Sequence, residues 1–139
     1  MRLLLDTNVV LDVLLGRTPH VETSALVWAA VERRGIEGLL SAHAVTTIHY
    51  LVCKEHGGAK ANRTTASLLE IFEVAPVTGD VIRQALTLAW PDFEDAVTVE
   101  AAHLAACDAI VTRHPKGFRR SPVRIFTPEA AASLLRAAP

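Results

Sequence analysis

The chain has 139 residues, half of them hydrophobic and 21% charged, and its formal net charge is −1 at pH 7. This composition excludes an intrinsically disordered chain and predicts a single domain, residues 1–139, that is large enough to bury a core. The small net charge excludes a general attraction to nucleic acid, so any RNA contact needs a local basic patch. Two cysteines, no long apolar run and no cleavable leader predict a cytoplasmic protein with no membrane partner.

Apolar strands and amphipathic helices alternate along the chain. The first strand is the uninterrupted apolar run Leu3–Leu5, and apolar residues recur at helical spacing from Val9 onward. Further helices are predicted over residues 20–34, 44–56, 60–72, 78–90, 91–106 and from 127, and short strands over 38–40, 74–77, 109–112 and 123–126. Strands separated by helices predict an α/β fold with a central parallel sheet sandwiched by helices.

The first strand ends in Asp6, which is followed by Thr7 and Asn8. In open α/β sheets, ligands bind in the crevice above the carboxyl ends of the strands, where this carboxylate is expected to lie. The alternative is that these residues only cap the following helix, a role that suits all three residue types. Because a cap needs one side chain and an acid at the end of a core strand is a costly way to obtain it, we interpret Asp6 as a site residue.

A second acidic cluster, Asp92, Glu94 and Asp95, follows Pro91 and opens a predicted helix. These acids also have a structural explanation, because Asp92 can cap the helix and acids are favoured electrostatically in its first turn. Three acids in four residues nevertheless exceed what one helix start requires. If the cluster faces Asp6, the carboxylates repel each other unless a divalent cation lies between them, and such clusters suit Mg²⁺ or Mn²⁺.

The strand predicted over residues 109–112 has polar residues at both ends. Asp108 lies at its amino end, at the opposite edge of a parallel sheet from Asp6, and we assign it a structural role such as pairing with an arginine. The carboxyl end carries Thr112 and opens a basic stretch that can hold a nucleic-acid backbone beside a bound metal. The candidate nucleic-acid contacts are Arg113, His114, Lys116, Arg119 and Arg120. The alternative is a solvated loop whose arginines pair with surface acids.

A competing metal site involves His49, Cys53 and His56, which fall on one face of the predicted helix over 44–56. Imidazole and thiolate are zinc ligands, but a structural zinc site needs four protein ligands and the sequence contains no second His/Cys pair near by. We therefore favour a core edge over a zinc site at this position.

Three segments resemble the PIN-domain family: residues 3–12 (LLLDTNVVLD), 92–96 (DFEDA) and 109–113 (AIVTR). The likeness is to the branch described as PilT-like, which is related to the VapC-type toxins of toxin–antitoxin pairs. It spans nearly the whole chain, in the family's order and spacing. It implies a PIN-like fold, an acidic cleft that binds Mg²⁺ or Mn²⁺, and ribonuclease activity on single-stranded RNA.

The family's acidic residues carry over to this chain only in part. Asp6 matches the first acid of the family and Asp95 the third. The second, usually a glutamate, falls at Thr47, and the fourth, usually Asp or Asn, falls at His114. A further aspartate that is common in the following loop is Gly117 here. Two of the usual acids are therefore in place.

The leading hypothesis is a metal-dependent endoribonuclease acting on single-stranded RNA, with Asp6 and Asp95 as ligands of Mg²⁺ or Mn²⁺. Asp92 and Glu94 supply further catalytic oxygens, because metal ligands are commonly supported by a second layer of polar groups. Supporting residues that orient water are Asn8, Thr47 and Thr112. If the acids share one cleft, at least one of them should have a pKa well above the ordinary value near 4.

The alternative hypothesis is a catalytically weakened PIN-fold module that binds RNA or a protein partner, since fewer carboxylates bind a cation more weakly. The resemblance also implies a cognate antitoxin as partner. Apolar helix faces over residues 21–31 and 68–72 exceed what one core needs and predict a homodimer.

Overall fold

The computed structural model describes residues 1–137, so residues 138 and 139, the end of the predicted domain, lie outside the described part. The strands are β1 (Arg2–Leu5), β2 (Glu37–Ser41), β3 (Glu73–Ala75), β4 (Ala109–Val111) and β5 (Arg124–Phe126). The helices are α1 (Thr7–Leu14), α2 (Val21–Glu32), α3 (Ala42–His56), α4 (Gly58–Ile71), α5 (Gly79–Leu88), α6 (Phe93–Leu104) and α7 (Pro128–Ala137). A short 3-10 turn, Pro115–Phe118, lies between β4 and β5.

The strands form one sheet in the order β3-β2-β1-β4-β5, and all four pairings are parallel. β1 lies at the centre, where Leu3 pairs with Gly38 of β2 on one side and with Ala109 of β4 on the other. Because successive side chains of a strand point to opposite faces, the apolar run of β1 needs cover on both faces of the sheet. Because all strands are parallel, their carboxyl ends meet at one edge.

Helices cover both faces of the sheet. On one face, Leu3 and Leu5 pack with buried residues of α1, α2, α3, α4 and α7. On the other face, Leu4 packs with buried residues of α5 and α6. The predicted α/β fold with a parallel sheet sandwiched by helices is confirmed. Within residues 1–137, no helix is long and apolar enough to cross a membrane.

The predicted order of elements is also confirmed, with shifted boundaries. α2 ends before the predicted Gly35, because Arg34 adopts a left-handed conformation (φ 61°) and the Gly35 N–H donates to the carbonyl of Ala30 (3.0 Å). β3 begins one residue before its predicted start and ends before Pro76. Proline has no N–H to donate to a strand ladder, so the strand stops there.

Candidate functional site

Asp6 lies at the edge formed by the carboxyl ends of the strands. Its N–H donates to the carbonyl of Val111 in β4 (2.9 Å), which fixes the residue to the sheet just beyond β1. Carboxylate Oδ1 accepts a hydrogen bond from the Thr7 N–H (2.9 Å), so Asp6 is the N-cap of α1. Oδ2 accepts from the Thr112 hydroxyl (2.8 Å) and the Asn8 amide (3.4 Å). The capping role therefore uses one lone pair of Oδ1, and the carboxylate keeps a second lone pair on that oxygen for another partner.

The ionised form of Asp6 is disfavoured where it lies. Burial raises the pKa of the Asp6 carboxyl above its usual range. Hydrogen bonds from Thr112 and Thr7 lower the pKa in part, and so do the nearby imidazoles of His114 and His43. Because burial outweighs these contributions, the Asp6 carboxylate gains stability from any further positive charge placed beside it.

In the second acidic cluster, the Asp92 carboxylate caps a helix, whereas the Asp95 carboxylate does not. Asp92 Oδ1 accepts a hydrogen bond from the Asp95 N–H (3.1 Å), so Asp92 is the N-cap of α6, as one reading of the sequence predicted. Within residues 1–137, the Asp95 carboxylate forms no ion pair with a lysine, arginine or histidine. Desolvation, followed by the charges of Asp92, Asp6 and Glu94, raises the pKa of Asp95 to about 7. The direction agrees with the rise expected from the sequence, but burial contributes more to the raised pKa than the repulsion on which that expectation rested.

These acids line one cavity of about 350 Å³, which we call the acid cleft. Its polar and charged lining residues are Asp6, Thr7, Asn8, Arg17, Asp92, Glu94, Asp95 and His114. The structure thus brings together the two acidic clusters, which lie almost ninety residues apart in the sequence. Four carboxylates face one arginine and one histidine, so the cleft carries excess negative charge.

A divalent cation fits this set of donors. Within residues 1–137, no group of three or more His, Cys, Asp and Glu side chains has the arrangement to hold a metal ion by itself. Mg²⁺ and Mn²⁺ do not require such a group, because these hard ions keep several waters and use one or two carboxylates together with substrate phosphates. Asp6 and Asp95 can provide those carboxylates, and a bound cation would offset the burial that raises both of their pKa values.

Two residues near the acids were missed by sequence reasoning. Arg17 lines the acid cleft and, in the described residues, pairs with none of its carboxylates. His43 lies in the first turn of α3, with Nε2 3.3 Å from the Thr98 hydroxyl and close enough to Asp6 and Glu94 for their charges to raise its pKa, although burial lowers that pKa overall. A search at the carboxyl end of every strand finds His43, because it follows the end of β2.

Of the three residues expected to orient water, Asn8 and Thr112 lie beside Asp6 and Thr47 does not. Asn8 and Thr112 both contact Asp6, as described above. The Thr47 hydroxyl instead donates to the carbonyl of His43 one turn earlier in α3 (3.2 Å), and Thr47 is not among the residues that line the acid cleft. In this conformation, the Thr47 hydroxyl therefore does not reach the cleft to hold a metal ion or orient its water.

The predicted nucleic-acid contacts divide into three groups. Arg113 Nε donates to Oδ2 of the fully buried Asp12 (2.7 Å), which ties this arginine to the core of the domain. His114 lines the acid cleft. Lys116, Arg119 and Arg120 are exposed and line a neighbouring cavity. Their contact with RNA stays a prediction.

Two further predictions concern residues outside the cleft. Asp108 Oδ2 accepts a hydrogen bond from the Arg2 N–H (2.7 Å) at the opposite edge of the sheet, which is a structural role, although the partner is the backbone of an arginine. His49 Nε2 bonds to the Asn62 side chain (2.7 Å), and the absence of any three-residue metal group in residues 1–137 argues against zinc beside Cys53.

Comparisons with solved structures agree with this fold. A toxin–antitoxin complex from Klebsiella pneumoniae is similar over 90% of this chain and 96% of its own, with 20% identity and a TM-score of 0.68. FitAcB from Neisseria gonorrhoeae matches over 91% and 97%, with 25% identity and a TM-score of 0.67. VapC20 from Mycobacterium tuberculosis, described as a sarcin–ricin loop cleaving toxin, matches over 78% and 86%, with 17% identity and a TM-score of 0.64. No match was found among curated proteins.

A sequence profile of the PIN domain matches residues 2–115. The matched range contains β1 with Asp6, α6 with Asp95 and β4 with its contact to Asp6, so it includes every element that builds the acid cleft. This chain belongs to the PIN-domain family.

Proposed function

We propose that this PIN domain is a metal-dependent endoribonuclease that acts on single-stranded RNA. The observation that carries the proposal is the pairing of Asp6 and Asp95 across one cleft, each with a raised pKa and neither paired with a cation of residues 1–137. Such an arrangement is unfavourable unless a cation is bound, and perturbed carboxyl pKa values in a cleft are typical of functional sites.

Asp6 and Asp95 would hold Mg²⁺ or Mn²⁺. When bound, the ion supplies a water of lowered pKa and neutralises charge on the phosphate oxygens. Asp6 is suited to the role because the hydrogen bonds from Thr7 and Thr112 fix its carboxylate before any ligand arrives. Glu94 and Asp92 line the same cleft, where their carboxylate oxygens would accept hydrogen bonds from waters of the bound ion.

Arg17 gives the cleft a cation for the substrate. Because its guanidinium pairs with no acid of the described residues, it can donate to a phosphate oxygen of the bound strand. Cleavage of RNA in particular is supported by the similar VapC20 from Mycobacterium tuberculosis, a sarcin–ricin loop cleaving toxin.

Protein partners form a second part of the proposal. The similar structure from Klebsiella pneumoniae is a toxin–antitoxin complex, which supports a cognate antitoxin for this chain. The exposed Leu26 of α2 and Leu69 of α4 lie in the helices whose apolar faces predict a homodimer. Light scattering at micromolar concentration should give the mass of a dimer, and a monomer would contradict this part.

A second candidate function is an RNA-binding module without catalysis. It is favoured by Thr47, whose hydroxyl bonds to its own helix at the position where the family usually has an acid. Calorimetric titration with Mn²⁺ separates the two functions. Affinity weaker than millimolar, with RNA binding retained, would favour the binding module.

Cleavage assays test the leading function directly. Wild type should degrade single-stranded RNA with Mn²⁺, and Asp6→Asn should lose at least about 100-fold in rate, because even partners of metal ligands contribute 10- to 100-fold. Asp108→Asn is the matched control, since it neutralises an aspartate at the other edge of the sheet and should keep full activity. Equal degradation by wild type and Asp6→Asn would contradict the assignment.

A further inference from the structure

A second cavity adjoins the acid cleft and has no role in the chemistry described so far. It measures about 350 Å³ and lies between the end of α5 and the 3-10 turn. This size is at the small end of the range for small-molecule sites, about 300–1,000 Å³. The cavity, which we call the basic cavity, is lined on its charged side by Lys116, Arg119, Arg120 and Asp92.

The basic cavity and the acid cleft differ in charge although they share a wall. Asp92 lines both cavities, so they lie on either side of the N-cap of α6. Within residues 1–137, no salt bridge involves Lys116, Arg119 or Arg120. Three cations face one carboxylate, which already accepts the hydrogen bond of the helix cap. The basic cavity therefore attracts an anion immediately beside the place where a scissile phosphate would lie.

An aromatic residue completes the basic cavity. Trp90 is half-buried and lines it together with Leu88. Trp90 and the buried Phe118 form a T-shaped pair, with 5.9 Å between ring centroids and an interplanar angle of 89°, so the indole is packed against the core on one side. Cations that follow a backbone, combined with an aromatic ring for a base, are the recurring elements of single-strand binding sites.

We propose that the basic cavity binds one nucleotide of the RNA strand, adjacent to the phosphate held in the acid cleft. Its base stacks on Trp90, and its phosphate is held by Lys116 and Arg119. This assignment rests on the proposed ribonuclease function and deepens it, because it places a flanking nucleotide on one defined side of the cleavage site. It also gives Trp90 a role in substrate binding in addition to packing.

The two tryptophans of the chain allow a direct test. Trp28 packs against Phe72 in the core on the opposite face of the sheet, far from the basic cavity. Trp28→Phe therefore leaves Trp90 as the sole tryptophan fluorophore, and Trp90→Phe leaves only Trp28. Titration with a single-stranded RNA hexamer in EDTA, which prevents metal-dependent cleavage, should quench the fluorescence of Trp28→Phe and leave that of Trp90→Phe unchanged.

Affinity measurements give a second readout, with labelled RNA followed by anisotropy. Trp90→Ala should weaken binding roughly 5- to 100-fold, as expected for the loss of one stacked base, and Trp90→Phe should retain most of the affinity. If Trp90→Ala loses its fold by circular dichroism, Arg119→Gln at the exposed rim replaces it. Each neutralised cation should reduce the salt slope of log K by about 0.7.

The outcomes separate this inference from the function on which it rests. Suppose that anisotropy shows RNA binding, but the fluorescence of Trp90 does not change and Arg119→Gln binds RNA as tightly as wild type. That result would overturn the nucleotide site and leave the ribonuclease proposal intact. Absence of any RNA binding would overturn both. A polyglutamate peptide that quenches Trp90 as strongly as the RNA does would assign the basic cavity to an acidic protein partner and overturn the nucleotide assignment.

Discussion

Charged residues lie at both ends of the parallel strands, at the amino edge (the amino ends) and at the carboxyl edge (the carboxyl ends). Within the described residues, the acids are paired at the amino edge, whereas Asp6 and Asp95 are unpaired at the carboxyl edge. At the amino edge, the guanidinium of Arg2 pairs with Glu37 and lies 3.6 Å from Glu73, and it also donates to the carbonyl of Ala105 (3.1 and 3.2 Å). The backbone N–H of the same residue donates to Asp108. Glu37, Glu73 and Asp108 therefore each lie near the guanidinium or the backbone N–H of Arg2.

At the carboxyl edge, the acids face each other instead. Asp6 and Asp95 share the acid cleft, their pKa values are raised, and neither pairs with a cation of the described residues. The difference teaches how to separate structural from functional acids in this domain. Acids that pair with donors of Arg2 stabilise the fold, whereas unpaired acids that share a cleft are the candidates for binding a cation from outside.

The largest expected effect comes from disturbing the support of Asp6. Thr112→Val keeps the shape of the side chain and removes the hydrogen bond to Asp6 Oδ2 (2.8 Å). Because donors to a metal ligand fix its orientation, Mn²⁺ affinity and RNA cleavage should each fall about 10- to 100-fold. Calorimetry and a cleavage assay measure the two quantities. Thr87→Val is the control, since its hydroxyl donates only within α5 and it should change neither.

A smaller effect is expected at Gly117, which lines the basic cavity and lies beside the Asp95 carboxylate. A Cβ at this position would lie 2.6 Å from Asp95 Oδ2, so Gly117→Ala must displace that carboxylate. We expect Mn²⁺ affinity to fall about tenfold, as for other groups that position a ligand. Gly58→Ala provides the control, because its nearest neighbour would be 4.0 Å away. Unchanged Mn²⁺ binding by Gly117→Ala would mean that Asp95 is not a ligand.

Much of this arrangement could be predicted from the sequence, because its signals are local. The apolar run of β1 ends abruptly in Asp6, and three acids within four residues mark the start of α6. Strands that alternate with helices imply a parallel sheet, and a parallel sheet brings the carboxyl ends of its strands to one edge. These facts predict Asp6 at that edge, whereas the meeting of Asp6 with Asp95 is a conditional expectation, because α6 follows α5 and not a strand.

The remaining features depend on contacts between distant residues, which local patterns do not encode. Asp12 has helical spacing and an ordinary sequence context, yet it is fully buried and paired with Arg113, 101 residues away. The basic cavity is likewise built from two segments, 88–92 and 116–120, whose approach depends on how α5 and the 3-10 turn pack. Periodicity predicts which elements form, but packing decides which of their polar side chains meet.

The amino edge gives the next prediction, and its effect should be on stability alone. Arg2→Met removes the ion pairs and the hydrogen bonds of the guanidinium while keeping its apolar stem. Because Glu37 and Glu73 are exposed, we expect the free energy of unfolding to fall by only about 1 kcal/mol, with cleavage unchanged. Arg83→Met breaks the fully surface-exposed pair with Asp80 and should cost less. Denaturant unfolding compares the two variants.

The smallest effect is expected from Asp95→Asn in the absence of metal, and its sign distinguishes a site from a cap. The pKa of Asp95 is about 7 in the folded protein and near 4 in the unfolded chain, so the folded state binds more protons between these values. The contribution of Asp95 to the free energy of unfolding therefore falls as the pH rises from about 4 to 7, and then stays level. Asp95→Asn should lose less stability over that range.

Above pH 7, Asp95→Asn should consequently be more stable than wild type in EDTA, by roughly 0.5–1 kcal/mol once solvent screening of this half-exposed carboxylate is taken into account. A helix-dipole role for Asp95 predicts the opposite sign, a loss of about 0.3–1 kcal/mol at every pH where the acid is ionised. The Asp92 cap is retained in the variant, since it uses only the N–H of residue 95. Thermal melts at pH 5 and pH 8, with EDTA and with Mn²⁺, distinguish the two. The contrary result is a variant that melts at a lower temperature than wild type at pH 8 without metal and whose melting temperature rises as much with Mn²⁺. Asp95 would then be an acid that stabilises the fold and not a metal ligand.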